Sequence, residues 1–329
     1  MDETLQKKVE LFVENNEIMK GQFGFQDSRM RMVCANIYSN QGKKVNVSKI
    51  KECIYIIKTN TGLFSNFKGT AKIALATMLS LEEDPNIAFG KIQSIYEKLR
   101  ENFNSSDYLP VVAFLIGQLN DEDSLEYTIR KAKCIYERMK REHRFLTSSE
   151  DVTYAVLFAL SAIPEDRAIT EMEHCYRNLK TVFRSSNAVQ SLSHVLALDE
   201  FVSTEEKCQK VFDMFALLKR KKNKFDTGYE LAILGVLALS SDNIEKAVDD
   251  IIEVSTFLKP IKGFGDWSIG RGTRLMFAAM LVESSYTNHK HPAMGTAALN
   301  SMTSLIIAEE AAMCACMAAS AAAAASANS

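Results

Sequence analysis

The chain has 329 residues, 47% of them hydrophobic and 24% charged, which is the balance of a folded soluble protein and excludes a disordered one. Lys plus Arg number 39 against 41 for Asp plus Glu, so a net charge of −2 removes the global electrostatic case for a dedicated nucleic-acid or membrane-surface binder, although local patches stay open. With only 5 Pro and 14 Gly, the chain lacks the turn residues that an all-β sandwich or barrel needs, and helices are the default.

In chain order, Met1 to Lys8 lacks the basic segment and apolar run of a secretory signal, which points to the cytosol. Residues 1–49 read as a helical cap in which Ser28 to Tyr38 resembles the second helix of a hairpin. An internal repeat follows. Tyr55, Tyr96, Tyr136, Tyr176, Phe215 and Phe257 lie 41, 40, 40, 39 and 42 residues apart, each in a similar phrase (IYIIK, IYEKL, IYERM, CYRNL, MFALL, TFLKP) with apolar neighbours at helical spacing. Each phrase is a first helix. A loop bearing Phe and then Ser, Thr or Asp comes next, as at Phe103, Phe145, Phe183, Phe225 and Phe264. There the polar residue can cap a new helix and the Phe can staple its entry, with Ser148-x-x-Asp151 and Thr227-x-x-Glu230 as capping-box spacings. A more apolar second helix follows each time: 71–81, 111–119, 152–162, 189–198, 231–239 and 275–282.

The expected architecture is therefore all-α. About six αα hairpins with a period near 40 residues fill 50–284, which excludes tetratricopeptide and ankyrin arrays and sits at the lower edge of the HEAT class. A HEAT-like solenoid is favoured, with a closed α/α toroid as the alternative. Residues 285–310 read as a linker and C-terminal helix, and 311–329 as an Ala-rich tail too short and too alanine-dominated to be taken as a membrane span. Seven cysteines, an odd number without a CxxC pair, read as reduced and mostly buried.

Three phrases carry a resemblance. KTNTGLFSNFKG (58–69), MKREHRFLTSSEDV (139–152) and NAVQSLSHVLAL (187–198), in this order, resemble an uncharacterised bacterial family known only as a domain of unknown function, number four thousand and three. The resemblance runs from about Leu5 to about Ser285. It implies the fold and a bacterial cytosolic setting, and no chemistry.

Charge sorts along the repeat. First helices end in cations, and the loops leading to the next first helix are acidic, as the helix dipole alone would favour. The functional alternative is a basic edge that recruits an acidic protein segment or a phosphate-bearing ligand, with Lys219, Arg220, Lys221, Lys222, Lys140, Arg141 and His143 as candidate partner-binding residues. Candidate ligand-binding residues are Gln190 and His194 in the fourth repeat's second helix, and Trp267, Arg271 and Arg274 in the Gly-rich turn of the last hairpin. That turn can equally be a loosened terminal repeat. His143 and His194 are expected to lie about 12 Å apart in depth and not to share a site. Glu171-x-x-His174 and His289-x-His291 lack the further ligands a metal site needs, and no phosphate loop, dinucleotide fingerprint or esterase elbow occurs, so no metal or cofactor is expected. The leading expectation is a non-catalytic scaffold for another protein or peptide. An enzyme or small-ligand binder with a cavity lined by second helices is the alternative.

Overall fold

The computed structural model describes residues 1–290 except Asp27, Phe64, Thr70, Ala71, Asn120, Asp121 and Tyr229. The expected tail at 311–329, with Cys314 and Cys316, lies outside the described residues. Those residues form fourteen α-helices and no strand. In chain order they are α1 (Glu3–Gln22) and α2 (Ser28–Asn40), α3 (Val47–Thr59) and α4 (Lys72–Leu79), α5 (Pro85–Asn102) and α6 (Leu109–Leu119), α7 (Leu125–Glu142) and α8 (Val152–Leu160), α9 (Glu165–Leu179) and α10 (Ser186–Ala197), α11 (Thr204–Arg220) and α12 (Glu230–Ser240), and α13 (Ile244–Leu258) and α14 (Gly270–Lys290). All six anchors fall in the later part of a first helix. Within the expected 1–49 helical cap lie α1 and α2, and α14 runs on to Lys290.

The helix ends follow local chemistry. Asn46, Asp84, Ser185, Ser203 and Asn243 each accept a backbone N–H of the first turn they precede, as N-caps should. Pro110 sits second in α6, where its missing N–H costs nothing.

Contacts divide the chain into two units. Unit one takes in Met1–Val9, Cys134–Ser148 and the described chain from Ser161 on; unit two takes in Glu10–Lys133 and Ser149–Leu160. In unit one the second helices α10, α12 and α14 pack in a row, and the first helices α9, α11 and α13 form a second row against them. Leu231 to Ala238 of α12 is buried without interruption, because a helix covered on all sides needs apolar residues all round. Gly235 permits this closeness, since a Cβ there would come 2.4 Å from Leu192 Cδ1 of α10. The start of the chain also lies on this unit: Met1 pairs with Asp250 and Glu253 of α13, and Lys8 Nζ donates to Ser284 Oγ of α14 at 2.8 Å.

In unit two α2, α4, α6 and α8 follow one another, with α3 and α5 against them. Its first hairpin is tied by Asn15, fully buried in α1, whose amide donates to Ser39 Oγ and to the Lys43 carbonyl and accepts from Val45 N–H. Phe67 packs edge-on against Phe89 and Tyr96, and the Tyr96 hydroxyl donates to Asn66 Oδ1 at 3.0 Å.

Candidate functional site

The basic edge of unit one is built by helix ends. Because α9, α11 and α13 run side by side, the loops that close their hairpins emerge in a row, and Arg271 Nη2 donating to the Lys222 carbonyl at 2.7 Å joins two of them directly. Lys219, Arg220, Lys221 and Lys222 are exposed at the end of α11, as are Lys140 and Arg141 at the end of α7. Lys221 pairs with Asp249 of α13. Lys222 closes α11 with φ +60, a left-handed conformation that favours Gly and is strained for Lys. His143 is not offered to a partner in the same way. It is half-buried, with Nε2 2.8 Å from Glu173 Oε1 and its ring 4.3 Å from that of Tyr176, so it fastens the α7 loop to α9.

The candidate ligand residues fall in two places. Gln190 is 2% exposed, and its amide donates to Thr147 Oγ1 at 3.0 Å, which draws the α7–α8 loop down onto α10. His194, one turn on, is also 2% exposed. Burial first, and the neighbouring His143 second, push its pKa down to about 3 and keep the ring neutral. His143 acts on His194 electrostatically, while its own Nε2 is engaged by Glu173. In the last hairpin, Arg274 is 3% exposed and fully engaged: Nε donates to Ser255 Oγ, Nη1 to the Phe264 carbonyl, and Nη2 lies 2.7 Å from Asp266 Oδ1. This guanidinium holds the Asp266 carboxyl below its usual range. Trp267 stands fully in solvent at the tip of that turn.

The loop phenylalanines also divide. Phe103, Phe183, Phe225 and Phe264 are buried as a staple requires, whereas Phe145 is 96% exposed. Among the cysteines Cys34, Cys53, Cys175 and Cys208 are buried, but Cys134 is exposed, because it lies on the outer side of the amphipathic α7.

Sequence reasoning missed a further cluster. A cavity of about 480 Å³ lies between the early turns of α9 and the α10–α11 loop, with Arg167, His174, Glu200 and Phe201 among its lining residues. At its wall the fully buried Lys207 places Nζ 2.7 Å from Glu171 Oε1 and donates to the Asp199 carbonyl at 2.9 Å, and Thr204 Oγ1 donates to the same carboxylate at 2.7 Å. Burial alone would raise the Glu171 pKa, but these donors outweigh it and hold the carboxyl below its ordinary value. The available signal was Lys207 standing in line with Val211, Met214 and Leu218 on the apolar stripe of α11. Cys175 and Cys208 adjoin this cluster, and their mutual hydrogen bond together with burial keeps the Cys175 thiol protonated.

A family profile described as a protein of unknown function (DUF4003) matches residues 15–312. The chain belongs to this family. The DUF4003 chain is also similar to the uncharacterised protein YeaA of Bacillus subtilis (strain 168), 24% identical over 216 residues, which cover 63% of this chain and 64% of that relative. No solved structure matches it. In this DUF4003 chain the candidate residues do not converge on one site: the cations line an exposed edge, whereas Gln190, His194 and Arg274 are buried inside the helical layers. No helix among the described residues is long and apolar enough to cross a membrane.

Proposed function

We propose that this DUF4003 protein is a non-catalytic cytosolic scaffold that holds an acidic protein or peptide segment along the basic edge of its hairpins. The observation that carries the reading is a contrast in availability. Lys219, Arg220 and Lys222 face solvent in the same unit where, of the residues best suited to bind a small ligand, Gln190 and Arg274 spend polar atoms on the fold and His194 is buried. A neutral His194 with a pKa near 3 is also a weak general base at neutral pH, which disfavours the enzyme alternative.

The test is capture of a partner from native cytosol at increasing salt. Capture that weakens steadily with ionic strength supports an edge of exposed cations, and capture indifferent to salt contradicts it.

A further inference from the structure

Hairpin-closing loops and the helix ends before them, at 140–148, 180–185, 219–228 and 259–271 of unit one, carry thirteen Lys and Arg against three carboxylates. Of the three, Asp266 is paired with Arg274 and Lys259, at 2.7 and 3.6 Å, which leaves Glu142 and Asp226. The helix dipole accounts for cations at these ends. It does not account for what stands among them. Phe145 is 96% exposed beside Arg144 and a few residues from Lys140 and Arg141, whereas Phe103, Phe183, Phe225 and Phe264 of other hairpin loops are buried. Trp267 is wholly exposed between Lys262 and Arg271, and Val182, beside Arg184, is 49% exposed. Large apolar side chains exposed on these loops, each set among cations, contribute nothing to the core.

We propose that this edge docks on an anionic lipid bilayer, with Trp267 and Phe145 entering the interfacial region and the surrounding Lys and Arg lying against the lipid headgroups. Charge complementarity selects an anionic surface, since basic segments are drawn to acidic leaflets. The cations alone suit an acidic polypeptide, and the rings extend what this edge can meet to a bilayer. Adjacent helices pack about 8–10 Å apart, so three hairpin steps separate the two rings by roughly 25–30 Å. A protein would need two pockets in register at that spacing, whereas the interface accepts an aromatic ring at any lateral position. The net charge of −2 does not oppose docking, because the acidic residues concentrate at the opposite helix ends, as at Glu165, Asp166, Glu205 and Glu206. Bilayer docking uses the same cations as the proposed partner capture but requires no protein partner, so the two can fail separately.

Trp267 is the only Trp of the chain and therefore reports on its own environment. The experiment sediments the full chain with vesicles of phosphatidylglycerol and phosphatidylcholine, or of phosphatidylcholine alone, and records Trp emission. The expected result is binding to the anionic vesicles only, with emission shifted to shorter wavelength and quenched by bromine-labelled lipid. Phe145→Ser should lower the partition roughly tenfold while Trp267 still reports, and Lys219→Glu with Lys222→Glu should lower it at least as far. Both sites are exposed, so the melting temperature should not move. Absence of sedimentation overturns the proposal. So does sedimentation without the emission change, or with Phe145→Ser silent, which would indicate electrostatic adsorption. Equal binding of an oligoglutamate peptide, independent of Phe145, would assign the edge to an acidic polypeptide and also overturn it.

Discussion

Two groups of lysines sit about one helix length apart on α11 and have opposite fates. Lys207, near the start, is fully buried and bound by Glu171 and the Asp199 carbonyl; Lys219 and Lys222, at the end, project into solvent. The residue type is the same, and desolvation decides the role. A buried ammonium must be compensated, so Lys207 binds α9, α11 and the intervening loop into one piece. An exposed one costs little and contributes little to stability, which leaves it available to a partner.

The comparison breaks most visibly at Lys207. Lys207→Ala should cost about 3–5 kcal/mol of unfolding free energy in a denaturant titration, because Glu171 is left without its main partner. Replacing both, Lys207→Met with Glu171→Leu, should recover most of that loss. The Glu171 carboxyl is held below its ordinary value, so the stability it contributes is present above the unfolded pKa of about 4.3 and is lost as pH falls further, through the folded value.

A smaller effect belongs to His194. Its folded pKa of about 3 lies below the ordinary histidine value of 6.5, so the unfolded chain binds the extra proton between those limits and stability falls as pH is lowered through that window. Linkage gives a loss of about 2 kcal/mol between pH 7 and pH 5. His194→Gln should flatten that part of the stability profile. An unchanged slope would mean that His194 is not the neutral buried ring described.

The least effect is local and has the opposite sign. Lys222→Gly should raise stability by up to about 1 kcal/mol, because Gly adopts the left-handed conformation at the end of α11 without strain. No gain would mean that the conformation carries no penalty there.

What could be read from the sequence follows the same division. The repeat was legible because aromatic residues recur near the ends of first helices and apolar runs fill the second ones. Its first copy escaped because, one period before Tyr55, α1 carries Asn15, a buried amide whose three hydrogen bonds to Ser39, Lys43 and Val45 do by polar pairing what other repeats do by packing rings. The basic edge was legible as a run of cations. The engagement of His143, Gln190 and Arg274 was not, since their partners Glu173, Thr147 and Asp266 are fixed by how the loops fold over the neighbouring helices. Phe145 shows the converse: it follows its anchor Tyr136 by nine residues, where Phe103 and Phe183 follow theirs by seven, so His143 takes the inward position and Phe145 is left exposed.

The most direct measurement pairs capture with stability in one variant, in which Lys219, Arg220, Lys221 and Lys222 are all replaced by Glu. Lys221 loses its pair with Asp249, an exposed contact worth little. A free, recruiting edge predicts that capture of a cytosolic partner collapses while unfolding free energy changes by less than about 1 kcal/mol. Undiminished capture, or a loss of stability comparable to that of Lys207→Ala, would contradict the account.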